Sequence, residues 1–140
     1  MTPDDYLFET PLSLGSTGVT QRGLTVTNIG TMPCTFRLQA EWVAREEHPW
    51  TLATSTAGFN APLLKALFHP TKPSASDFGP DDVVLGGWTS CTEAVYSAGE
   101  ETGVNVPVGE SRTLWMLMDT PPTAYRAGSE QISLSVNVDE

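Results

Sequence analysis

Polar and apolar residues alternate without a break from Gln131 to Val138. Ile132, Leu134, Val136 and Val138 share one parity; Gln131, Ser133, Ser135 and Asn137 share the other. Period two puts the apolar set on one face of a strand and the polar set on the opposite face. One dry side and one wet side is the common antiparallel arrangement. A second alternation sets Phe36, Leu38, Ala40 and Trp42 against Thr35, Arg37, Gln39 and Glu41. Leu24 and Val26 mark a shorter strand, and the turn cluster from Asn28 to Pro33 predicts a hairpin between the two. Thr113 to Met118 is different, being apolar on both parities. Such a strand needs cover on both faces, from its own chain or from a neighbouring subunit. The connection 120–129 holds Pro121, Pro122 and Gly128 and is too long for a two-residue hairpin. It suits a crossing from one sheet to another. Together these elements predict an all-β fold, an antiparallel β-sandwich with long loops, spanning residues 1–140 as one domain.

The weaker segments fill in around them. Leu63, Leu64, Leu67 and Phe68 stand at helical spacing and predict at most one short helix. Seven residues are too few to stand alone, and a short strand fits the same letters. His69 to Asp82 reads as loop. Val83–Leu85, Glu93–Tyr96 and the alternating Val104, Val106 and Val108 predict short extended pieces, with Pro107 favouring an edge or a strand end. Near the start, Tyr6, Leu7 and Phe8 precede Pro11, and Leu12 and Leu14 follow it. This extended, apolar, proline-broken stretch makes 1–14 a candidate strand-donating assembly segment. Pairing with a neighbour's open sheet edge would give a homo-oligomer or a head-to-tail polymer.

Composition narrows the partners. Charged residues are only 17% of the chain against 39% apolar, and 12 glycines and 11 prolines suit short strands and many turns. The net charge of −10 repels phosphate backbones and anionic lipid, which argues against nucleic acid and bare membrane as partners. No apolar run has the length of a bilayer-spanning helix, so membrane insertion is not expected. MTPDDYLFET lacks the basic start and apolar core of a signal peptide. The protein is therefore either intracellular, or extracellular or at the cell surface with a leader cleaved or omitted.

Candidate chemistry is sparse. Asp77-Phe78-Gly79 has the letters of a kinase metal-binding tripeptide but none of the accompanying motifs. Asp77, Asp81 and Asp82 cluster without EF-hand spacing and read as a solvated acidic loop. His48 and His69 each precede a proline, and no His or Cys pair has zinc-ligand spacing. The expectation is a non-enzyme with no catalytic residues, no metal and no cofactor. Cys34 and Cys91 allow one disulfide, worth roughly 3–4 kcal/mol through loop closure, or two separate thiols. Trp42 and Trp115 lie in core-type patterns. Trp50 and Trp88 neighbour turns and are the candidate ligand surface for glycans or other surface proteins.

Val26-Thr27-Asn28-Ile29-Gly30 closes a strand with an Asn-x-Gly turn. Pro107-Val108-Gly109-Glu110-Ser111-Arg112 then leads into an apolar strand, a proline-rich turn and an alternating strand. This pattern, over about two thirds of the chain, resembles the extracellular immunoglobulin-like modules of bacteria and archaea. The resemblance implies an immunoglobulin-like sandwich and a role as spacer, adhesion domain, sugar-binding domain or filament subunit. It also implies a tight turn at the glycine before the apolar strand. Cys34, Trp42 and Cys91 follow the antibody order, but Cys34 opens the same strand as Trp42 and Thr89 stands two before Cys91, so the inter-sheet bridge is not carried over. The two readings are thus a structural, self-assembling surface module and a secreted binding module using exposed aromatics.

Overall fold

The computed structural model describes residues 15–43, 51–59, 61–99, 101–122 and 131–139. They form β1 (Thr17–Val19), β2 (Leu24–Thr27), β3 (Thr35–Val43), β4 (Leu63–Phe68), β5 (Thr89–Ser90), β6 (Ser111–Asp119) and β7 (Gln131–Asp139). All strand pairs are antiparallel. The only helical pieces described are single 3-10 turns at Ala75–Asp77 and Pro80–Asp82. The expected all-β class is observed.

β6 is the hub of the first sheet. β4 pairs along one edge, from Leu63 opposite Asp119 to Phe68 opposite Leu114. β1 and β2 share the other edge. Between Val19, opposite Leu117, and Leu24, opposite Leu114, the outer strand carries two residues more than β6. Thr20 bridges the gap. Its N–H donates to the Met116 carbonyl at 2.9 Å, and its hydroxyl accepts the Met116 N–H at 3.3 Å. The ladder therefore survives the bulge with no buried orphan. Gly23 completes the bend because a Cβ there would lie 2.2 Å from Thr113 Cγ2 and 3.0 Å from the Trp115 ring.

In the second sheet β3 is central, with β7 along all nine residues of one edge and β5 on the other. Past β5, the Cys34 and Val106 backbones exchange hydrogen bonds, and the Phe36 N–H donates to the Gly103 carbonyl. Val104–Val108 is thus a single bridge at Val106 rather than a strand. Phe36, Leu38 and Ala40 of β3 join Leu24, Val26, Leu64, Ala66, Phe68, Leu114, Met116 and Met118 of the first sheet in one buried core. Leu134 and Val136 pack against it from β7. The two sheets therefore face each other across a shared apolar layer.

Three further sequence expectations are corrected. β2 and β3 do not form a hairpin: β2 pairs with β6, β3 pairs with β7, and their link passes from one sheet to the other. Local spacing could not reveal this, because the better partner for Leu24 and Val26 lies ninety residues away on β6. Pro62–Phe68 supplies a strand, not a helix. The helical spacing of its leucines is also a two-sided strand pattern. Leu64, Ala66 and Phe68 enter the shared core, and Leu67 joins Trp115, Leu117 and Phe78 behind the sheet. Glu93–Tyr96 is likewise a turn rather than a strand, with the Thr92 hydroxyl accepting the Ala94 and Val95 N–H groups.

That second cluster answers the question posed by β6. Trp115 and Leu117 point away from the shared core and are buried by Leu67, Phe78 and Val19. Phe78 comes from loop 69–82, which folds over the back of the sheet, and the Trp115 indole N–H donates to the His69 carbonyl at 2.9 Å. Both faces of β6 are covered by its own chain. Leu114→Ala and Leu117→Ala, on opposite faces, should each lower the unfolding free energy by about 2–5 kcal/mol. Urea denaturation checks this, and an unchanged midpoint for Leu117→Ala would show that the back of the sheet is not a core.

Candidate functional site

Asn28 organises one end of the molecule. Its buried side chain donates to the Met32 and Val106 carbonyls, each at 2.9 Å, and accepts the Gly30 N–H at 2.9 Å. Its backbone N–H donates to the Glu110 carbonyl, and its own carbonyl accepts the Gly109 N–H at 2.7 Å. Gly109 sits at φ +83°, a region that favours glycine. The β2–β3 loop is thereby clamped to the turn before β6. With the backbone held inward, the loop's side chains face out: Ile29 is 90% exposed and Met32 71%. Together with Pro33, Cys34, Phe36 and Val138 they line an open depression of about 620 Å³. Val108 is exposed on the clamped turn.

This apolar end was missed in the sequence. The readable signal was an isoleucine and a methionine inside an Asn-Gly-Pro turn, where polar residues are the norm. Its neighbour is β7. Phe36, Leu38 and Ala40 on β3 are almost wholly buried, whereas Leu134 and Val136 on the same face of β7 are half-buried and Val138 is 36% exposed. Among the described residues β7 is paired only with β3. The core thus thins toward that edge.

The predicted site residues fall in three groups. Tyr6, Leu7, Phe8, Leu12, Leu14 and Trp50, like His48, lie outside the described residues. Trp88 precedes β5 and is 40% exposed, with the Arg37 guanidinium over its ring at 4.8 Å. Cys34 and Cys91 are two free thiols. Cys91 is buried against Gly103, and burial pushes its thiol up to about 12. Burial also raises the Cys34 thiol. Neither is poised as a thiolate nucleophile.

The acidic loop is spent on structure. Asp82 is buried; its carboxylate accepts the Gly79 N–H and the Tyr96 N–H, each at 2.7 Å. Desolvation raises its pKa, and those backbone donors hold it down in part. Asp77 accepts the Ser74 N–H at 2.9 Å. The Tyr96 hydroxyl donates to the Val83 carbonyl at 3.1 Å, and burial pushes its pKa up to about 12. His69 Nδ1 accepts the Thr71 N–H at 3.2 Å as part of a turn. Among the described residues no three His, Cys, Asp or Glu groups converge as metal ligands, and no helix is long and apolar enough to cross a membrane.

Comparison with protein-family models, curated proteins and solved structures gives no match for this chain.

Two outcomes follow from this site. Denatured protein without reductant should expose two titratable thiols, those of Cys34 and Cys91; finding none would mean the pair is bridged. Asp82→Asn should cost about 1–3 kcal/mol, because an amide offers one acceptor to two buried N–H donors. Because the folded pKa of Asp82 lies above its unfolded value, the wild-type carboxyl contributes most at low pH and loses ground as pH rises through the folded pKa. The stability gap between the two proteins should therefore narrow from pH 4 to pH 7 in paired urea titrations; a widening gap contradicts the assignment.

Proposed function

We propose that the chain is a non-enzymatic structural or surface module, an immunoglobulin-like β-sandwich that associates with other chains by strand pairing along β7. The observation that carries this reading is the rising exposure of Leu134, Val136 and Val138 beside a strand edge paired on one side only among the described residues. A strand laid along that edge, about 4.8 Å away, would both complete the backbone ladder and cover these side chains.

Strand order supports the immunoglobulin-like part. In the constant-type order, strands B, E and D share one sheet while C and F share the other. Here β2, β6 and β4 share one sheet and β3 and β7 the other, and with β5 beside β3 the chain changes sheet at every link from β2 to β7. β7 then takes the place of F, and its second edge is where G lies in that order. β5 departs from it, pairing with β3 although it follows β4 in the chain.

The segment proposed to occupy the edge is 1–14 of a second copy, whose Tyr6, Leu7, Phe8, Leu12 and Leu14 supply apolar side chains. A head-to-tail contact of this kind propagates into an open filament, which fits an extracellular or cell-surface role. The exposed Ile29 and Met32 beside Val138 extend the same surface.

Sedimentation velocity over a concentration series tests the reading. The full chain should form growing species; removal of residues 1–14, or Val138→Lys at the exposed rim, should return a folded monomer. A full chain that stays monomeric at every concentration, or assemblies that persist without residues 1–14, would overturn it.

A further inference from the structure

Arg37 stands on the outer face of β3, opposite Ser90 of β5 and Asn137 of β7 in register. This face points away from the core and away from the apolar end. Its guanidinium lies over the Trp88 ring, and its Nε is buried with no hydrogen-bond partner. A cation held over a ring by the ring's quadrupole does not spend its N–H donors on that ring. Among the described residues Arg112 pairs with Glu110, and no carboxylate forms an ion pair with Arg37. Two acids share the face: Glu41 lies four residues along the strand, about 13 Å away, and Asp139, opposite Thr35, holds a diagonal position at about 7–8 Å by backbone register. In a chain of net charge −10, an arginine left without an acid is an unused anion receptor.

Trp88 is positioned to work with it. The Gln39 amide donates to the Gly86 carbonyl at 2.9 Å and pins the Gly86-Gly87 approach to the strand. Gly86 and Gly87 have open space where a Cβ would stand, and the indole that follows them is 40% exposed. The surrounding face carries hydroxyl and amide groups from Thr35, Ser135 and Asn137.

We propose that this face binds a glycan unit bearing a single carboxylate, a uronic acid on an otherwise neutral chain. The exposed indole takes the apolar C–H face of a sugar ring, the guanidinium takes the carboxylate, and the hydroxyl-rich strand face takes neighbouring hydroxyls. A single acid is selected because the chain's own negative field opposes a polyanion. The site uses the outer face of β3 and β7 rather than the backbone edge or the core-facing side chains of β7, so it can be tested on monomer and stands or falls separately from assembly.

The probe is a xylo-oligosaccharide carrying one glucuronic acid, compared with the same oligosaccharide lacking it. Binding is followed by tryptophan fluorescence and by amide shifts in NMR spectra of dilute protein. Saturable changes at Arg37, Trp88 and Asn137 are expected with the acidic sugar alone. Arg37→Gln and Trp88→Ala should each weaken binding by about tenfold or more, Arg37→Lys should retain part of it, and Glu41→Gln should leave it unchanged. Circular dichroism confirms that each variant is folded. Equal binding of the neutral sugar, full binding by Arg37→Gln, tighter binding of a short acidic peptide, or no response to the acidic sugar would each overturn the proposal.

Discussion

The structure depends on β6 being greasy on both faces. A strand with Leu114, Met116 and Met118 on one side and Trp115 and Leu117 on the other cannot be an edge, and cannot leave either side wet. Fully burying each such side chain is worth about 1.5–3 kcal/mol, so the rest of the chain is arranged to supply cover. β1, β2 and β4 take its edges, the sheet built on β3 takes its front, and loop 69–82 takes its back. The buried carboxylate of Asp82 and the Tyr96 phenol belong to that arrangement. They tie the long loop to the 96–97 segment, and backbone bonds from Phe68 to Tyr96 and from Val84 to Leu64 hold both against β4.

A self-sufficient β6 moves the question of association elsewhere. Had one face of this strand been open, a neighbouring subunit would have been required for folding itself. Cover from within places the proposed association at the periphery, where the core thins at β7 and where the Asn28 clamp turns Ile29 and Met32 outward. Both features cost nothing to the central layer. A surface proposed for pairing can then change without loss of the fold.

Much of the fold was legible in the letters, and the misses share a cause. The alternations on β3 and β7 are strict, and register puts Phe36 opposite Val138, Leu38 opposite Val136 and Ala40 opposite Leu134 on one face. β6 announced its central position by having no polar parity. The hairpin expected between β2 and β3 failed because a turn motif specifies a reversal, not which sheet the next strand joins. Pro62–Phe68 was ambiguous because leucines at adjacent positions satisfy both periods; an open edge on β6 decided the matter. The candidate sites were less legible. Trp88 is partly exposed, and its pairing with Arg37 depends on β5 lying beside β3, a contact between residues about fifty apart. The exposed pair Ile29 and Met32 was hidden because a turn cluster is read for its Gly, Asn and Pro, and its apolar members are ignored.

The most direct test is native-state hydrogen exchange on dilute, monomeric protein. If β6 is covered on both faces within one chain, the amides of Leu114 to Met118 should be among the slowest in the molecule and open only with global unfolding, at every concentration. Exchange of those amides as fast as in the loop 28–34, or protection that appears only as the protein is concentrated, would contradict the account.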